Sequence, residues 1–157
     1  MSRQSARTAA QRKADTLAKL TAPAADIWVA SASGSGAGAA EAHLVPLSLG
    51  WVSDRIVLAV EADSRTARNL VIGRRARLGL GPTRDVVMID ADVVAVLDAG
   101  TAPAGVADGY AAQADWDPRA AGPGYVYLVL SPTRIQAWRE ANELRGRTLM
   151  RDGQWFV

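Results

Sequence analysis

The segment Ser64-Arg65-Thr66-Ala67-Arg68-Asn69 gathers the groups best suited to hold an anion. It stands where an apolar run over residues 55–61 gives way to a helical pattern that Asp63 or Ser64 can cap. Two hydroxyls, two guanidiniums and the free N–H groups of a helix N-terminus then fall within one turn. The helix dipole favours negative charge there and Arg offers paired donors, so the set suits a phosphate monoester. A capped surface helix with solvated arginines would use the same residues. Spacing alone leaves both open.

Other chemistry is thin. His43 is the one histidine, placed on an alternating strand where it can touch a ligand ring, act as an acid or base, or simply line a barrel wall. Arg74, Arg75 and Arg77 form either a solvated strand edge or a groove for an anionic tail. Trp28, Trp51, Trp138 and Trp155 suit core and interface positions, because indole buries a large area and keeps one N–H to satisfy. Asp115 and Asp117 flank Trp116 just before Pro118, which is turn chemistry. Gly34-Ser35-Gly36-Ala37-Gly38-Ala39 matches G-x-G-x-x-A. A dinucleotide site needs a helix directly after it, and Pro46 in an alternating strand leaves no room for one. A hairpin tip is the simpler reading.

Composition narrows the field further. With no cysteine, disulfides, thiolate nucleophiles, iron–sulfur clusters and Cys-rich zinc sites are excluded. One histidine argues against His-rich metal sites and His-based triads. A net charge of +2 is too weak a bias for nucleic acid. Sixteen arginines against two lysines reflect high-GC codon usage before chemistry. The first twenty residues lack the apolar core of a signal peptide. Nothing approaches a membrane-spanning run, so the expectation is a cytoplasmic protein with no membrane contact.

The elements that must position these groups follow from periodicity. The chain has 157 residues, 49% of them hydrophobic, enough for one domain with a sizeable core. Residues 3–20 read as a helix ended by Pro23, so residues 1–25 form an N-terminal extension and 26–157 the domain proper. Strands are expected at Ile27–Ala32, His43–Leu49, Arg55–Glu61, Arg75–Leu80, Asp85–Leu97, Tyr125–Ser131, Arg134–Trp138, Thr148–Arg151 and Trp155–Val157. Turns are expected at Trp51-Val52-Ser53-Asp54, Gly81-Pro82-Thr83-Arg84 and Asp152-Gly153. On the second strand His43, Val45, Leu47 and Leu49 share one face, and Leu44, Pro46 and Ser48 the other. A short helix ends at Gly73, and residues 98–123 hold a loop and one short helix. Most connections are too short for crossover helices, so the fold is an antiparallel barrel or sandwich with appended helices.

The ordered set of a Gly-rich hairpin, H-L-V-P-L-S at 43–48, W-x-x-D-R at 51–55 and S-R-T-A-R-N-L at 64–70 resembles the pyridoxamine 5′-phosphate oxidase-like, FMN-binding split β-barrel superfamily. G-x-T-R-D-V-V at 81–87, W-D-P-R at 116–119 and S-P-T-R-I-Q-A-W at 131–138 extend the likeness over residues 26–157. The resemblance implies a mainly β fold, an antiparallel six- to seven-stranded split barrel with an N-terminal helix and short peripheral helices. It also implies a homodimer with the cofactor at the interface, FMN or else the 8-hydroxy-5-deazaflavin coenzyme (F-420). By the same resemblance His43, Leu44, Val45, Pro46, Leu47 and Ser48 line the ring. Ser64, Arg65 and Thr66 match the phosphate-gripping S-R-K, with Arg68 and Asn69 one turn on. Threonine replaces the lysine, so Arg65 and Arg68 supply the charge. Trp138 matches a cofactor-site tryptophan, whereas Arg145-Gly146-Arg147 is a shifted match to R-x-H-x-R that lacks the histidine. The implied function is hydride transfer to or from a small organic substrate, and not pyridoxamine phosphate oxidation. A non-enzymatic flavin or deazaflavin carrier or sensor is the alternative.

Overall fold

The computed structural model describes residues 4–34 and 38–157. In chain order the elements are α1 (Ala9–Thr21), β1 (Asp26–Ala32), β2 (Ala42–Ser48), β3 (Gly50–Val52), β4 (Arg55–Glu61), α2 (Arg65–Gly73), β5 (Arg75–Leu80) and β6 (Val86–Asp98). Then come α3 (Ala104–Ala114), β7 (Tyr125–Trp138), β8 (Thr148–Arg151) and β9 (Gln154–Trp155), with single 3-10 turns at Pro118–Ala120 and Ala141–Glu143. The strands pair antiparallel in the order β2-β1-β5-β6-β7-β4-β3, with β8 added to β7 and β9 to β8. The end strands β2 and β3 do not pair with each other. The sheet therefore does not close, consistent with the split barrel that the family resemblance implies.

β4 explains how the barrel carries two cores. Ile56, Leu58 and Val60 point inward to Ile27, Val29, Leu78, Ile89, Leu128 and Leu130. Val57 and Ala59 point the other way, to Tyr110 of α3 and to Tyr127 and Val129 of β7. A strand covered on both faces reads as an unbroken apolar run, here I-V-L-A-V. α1 closes the main core with Leu20, which is fully buried, a contribution of roughly 1.5–3 kcal/mol for a side chain of that size. No helix of the described residues is long and apolar enough to cross a membrane.

Several boundaries move, each for a local reason. α1 starts at Ala9 rather than near residue 3, because Thr8 and Gln11 form a reciprocal capping box. Trp51 and Val52 are strand, and the turn shrinks to Ser53-Asp54, both left-handed at φ 51° and 58°. That is the hairpin turn whose twist matches its strands. Gly73 is the last helical residue, and Arg74 takes the left-handed cap, its N–H donating to the Leu70 carbonyl. The two strands expected around Pro132 are one, β7, because a bulge opposite Asp90 and Ala91 absorbs the missing N–H. Residues 35–37 of the Gly-rich motif lie outside the described residues. Its flanks, Ser33 and Glu41, pair directly and lead into β2.

One contact makes the α3 packing testable. A Cβ added at Gly50 would lie 2.7 Å from the Tyr110 ring and 3.2 Å from the Val57 carbonyl oxygen. Gly50→Ala is expected to cost about 1–3 kcal/mol through overpacking. Urea unfolding should show it as a lower midpoint at unchanged slope.

Candidate functional site

Where β4 ends, the chain turns at Asp63 and re-enters as α2, so the end of a buried strand and the start of a helix share one cleft. The cleft has a volume of about 560 Å³, within the usual range for a small-molecule site. β2 contributes His43, Val45, Pro46 and Leu47, β4 contributes Ala59, Val60 and Glu61, and α2 contributes Ser64, Arg65 and Thr66. Trp116 and Tyr125 complete the lining. Its chemistry is mixed: two hydroxyls and the guanidinium come from the start of α2, His43 adds an imidazole and Glu61 a carboxylate, and the rest of the lining is aliphatic or aromatic.

The α2 end is firmly mounted. Ser64 caps the helix in an extended conformation, its hydroxyl accepting from the Ala67 N–H at 3.2 Å. The Arg65 and Thr66 amides then have no helical acceptor of their own. Thr66 is buried, and its hydroxyl lies 3.2 Å from His43 Nε2, which ties α2 to β2. The buried Asn69 amide donates to the Ser31 hydroxyl at 3.1 Å, which ties α2 to β1. Arg65 Nη1 sits 3.4 Å from Glu41 Oε1, with both side chains more than half exposed. Such a pair contributes about 1 kcal/mol at most and yields readily to a ligand.

The residues singled out from the sequence divide accordingly. His43, Val45, Pro46, Leu47, Ser64, Arg65 and Thr66 are brought together in the cleft. Asn69 stands behind it as a tie to β1. Leu44 is 60% exposed on the outer face of β2, and Ser48 ends that strand opposite Asp26. Arg68 is exposed and donates to the Asp63 carbonyl at 2.7 Å. Trp138 ends the fourteen-residue strand whose first residue, Tyr125, lines the cleft. It pairs with Val86 and carries Arg147 over its ring at 5.1 Å.

Five lining residues escaped the sequence reading: Ala59, Val60, Glu61, Trp116 and Tyr125. Glu61 was within reach, since it lies three residues before Ser64 on the strand that delivers it. Tyr125 was not, because it arrives only through its register opposite Glu61. Trp116 was read as part of a turn, and it is, but the turn carries its ring into the cleft wall. Behind it, burial raises the Tyr110 phenol to about 12, so Tyr110 stays neutral at physiological pH.

The fold is similar to that of solved structures of pyridoxamine 5′-phosphate oxidase-related proteins. Three solved structures place the chain within that architecture. A pyridoxamine 5′-phosphate oxidase-related, FMN-binding protein from Nostoc punctiforme is similar over 89% of this chain and 83% of its own, with TM-score 0.51 and 13% identity. An F420 reductase matches 75% of this chain and 93% of its own, at TM-score 0.54 and 13% identity. A heme-binding protein from Mycobacterium smegmatis matches 98% of this chain, which spans 60% of that protein, at TM-score 0.59 and 16% identity. No protein-family model matches the chain, and neither does any curated protein. At these identities the likeness establishes the fold.

Proposed function

We propose that the chain is a flavin-type cofactor-binding oxidoreductase that works as a homodimer and moves hydride to or from a small organic substrate. One observation carries this reading: a single cleft joins a capped helix N-terminus bearing Arg65 to a largely aliphatic and aromatic lining. A phosphorylated planar cofactor has that same division. Ser64, the Arg65 guanidinium and the amides of Arg65 and Thr66 would hold its phosphate. Val45, Pro46 and Leu47 would lie along its ring. β2 is also the end strand of the sheet, so one edge keeps backbone groups free of ladder bonds for the ring's polar rim. Hydride chemistry would belong to the cofactor, with the chain supplying binding, orientation and exclusion of water.

FMN suits the site better than the deazaflavin coenzyme. Among the described residues Arg65 is the one arginine lining the cleft, whereas Arg68, Arg74 and Arg75 lie outside it. A short phosphate needs no more, while a long anionic tail would need the others. Support for the dimer comes from the outer face of β1 and β2. There Trp28, 51% exposed, stands opposite Pro46, and the exposed Leu44 opposite Ala30. Pro46 belongs to both this apolar face and the cleft, so a second copy seated on the face would also wall the cofactor. Trp138, remote along β7, would then serve the partner's cleft.

A carrier or sensor without turnover is the second reading. His43, the one imidazole, lines the cleft, and one fold neighbour binds heme. Absorbance of the purified protein, followed by titration with FMN, the deazaflavin coenzyme and heme, tests both readings. FMN is expected to bind at micromolar concentration or below, and turnover of a dye acceptor with reduced cofactor then separates enzyme from carrier. Binding of heme alone would favour the carrier. Binding of none at micromolar concentration would sink the proposal.

A further inference from the structure

One wall of the cleft is an assembled row of aromatic rings. Trp116 and Tyr125 both line the cleft and meet edge to face, with centroids 5.6 Å apart and planes at 72°. Behind Trp116, Tyr110 stands edge-on at 5.9 Å and 80°, and Tyr127 follows it at 5.6 Å and 64°. Both of these tyrosines are fully buried. Neither hydroxyl finds a hydrogen-bond partner among the described residues. The row thus presents two rings to the cleft and two to the interior.

The backbone is arranged to hold Trp116 in that row. Asp115 takes a left-handed conformation at φ 60° and turns the chain off the end of α3. Asp117 then caps the 3-10 turn, accepting from the Arg119 N–H at 2.9 Å. The Arg119 guanidinium grips Asp117 at 2.8 Å and reaches back to Asp108 of α3 at 2.9 Å. These are part-exposed pairs that add little stability. They tie the elbow that carries the indole back to α3.

The geometry points to Trp116 and Tyr125 as the specificity-determining residues of the cleft, selecting ligands that carry a planar aromatic ring at the end away from their phosphate. This deepens the flavin reading and rests on it. The α2 end alone would accept any phosphate monoester, a sugar phosphate included, because helix N–H groups and a guanidinium do not read the rest of the ligand. An indole and a phenol held by edge contacts offer a π surface at low ordering cost. Sugars and acyl chains cannot use it as well. An indole beside an excited flavin ring also donates an electron to it and recovers that electron on decay, so binding should darken the ring's emission.

The test uses the full chain with three probes: FMN, riboflavin (the ring without phosphate) and ribose 5-phosphate (phosphate without the ring). Trp116→Ala is expected to weaken FMN and riboflavin by the same factor, roughly tenfold on the scale of base–aromatic stacking. It should leave competition by ribose 5-phosphate unchanged. Trp116→Phe preserves an edge contact to Tyr110; combined with Tyr125→Phe, which removes the phenol as a second electron donor, it should keep riboflavin bound while its emission brightens. If Trp116→Ala loses its circular dichroism, this double variant carries the decision. Unchanged ring affinity in folded Trp116→Ala, or equal bound emission in wild type and the double variant, overturns the assignment and leaves the flavin reading standing. A wild-type chain that binds ribose 5-phosphate but neither flavin overturns both.

Discussion

Glu143→Ala is expected to lower the stability of the fold by about 3–5 kcal/mol, the usual cost of removing one partner from a buried ion pair. The Glu143 side chain is 2% exposed and that of Arg7 9%. Arg7 donates through Nε to one carboxylate oxygen at 3.0 Å and through Nη2 to the other at 2.8 Å. The backbone N–H groups of Arg7 and Arg139 add one bond each, both 2.8 Å. Four donors on one carboxylate tie the segment before α1 to the 3-10 turn after β7, 136 residues apart. Arg7 also reaches Asp15 and Asp85, and Asp85 is shared with Lys19 and Arg139. Because the network is shared, Arg7→Ala should cost a similar amount and the double variant less than the sum of the two. The coupling in a urea double-mutant cycle should exceed about 1 kcal/mol. Additive losses would mean the two ends are held by packing instead.

The same pair sets a pH dependence of known sign. The hydrogen bond from Arg7 is the main cause that holds Glu143 at about 2, against an ordinary 4.5. For Asp85, burial pushes upward, but Lys19, Arg139 and Arg7 outweigh it and the net direction is down. A depressed folded-state pKa adds stability that is complete above the unfolded value and vanishes as pH falls through the folded one. Wild type should therefore lose stability from about pH 4.5 toward pH 2. The slope attributable to Glu143 should be absent in Glu143→Gln, measured by urea midpoints across that range.

What the sequence disclosed follows from the range of each interaction. Alternation in His43–Leu49 was legible because a half-buried strand has period two, and β2 keeps the faces assigned to it. The capped start of α2 was legible because a cap, two hydroxyls and an arginine lie within three consecutive residues. The aromatic wall was not: Trp116 and Tyr125 meet residues 43–66 only through the pairing of Glu61 with Tyr125 and the elbow after α3. Pro132 misled for a related reason. A proline argues against a central strand unless a bulge beside it relieves the ladder, and the bulge, at Thr133 of β7 opposite Asp90 and Ala91, belongs to the β6–β7 register rather than to any local run. Arg65 and Arg68 looked equivalent in sequence, three residues apart on one helix. The structure separates them.

That separation gives the second large effect. Arg65→Ala is expected to weaken FMN binding roughly tenfold, as for the loss of a part-exposed hydrogen bond to a charged group. Riboflavin, which lacks the phosphate, should be unaffected. Arg68→Ala should change neither ligand by more than about twofold, since its guanidinium is spent on the Asp63 carbonyl outside the cleft. Glu41 competes for Arg65 in the free protein, so Glu41→Gln should tighten FMN modestly, by about twofold. Because Arg65 is solvent-exposed, added salt should narrow the gap between wild type and Arg65→Ala as the Debye length shortens. Fluorescence titrations at two ionic strengths read all of these together. A larger loss in Arg68→Ala than in Arg65→Ala would move the anion to the outer face of α2, toward Arg74 and Arg75. The long-tailed deazaflavin would then be the better ligand, and the cleft would hold only its ring.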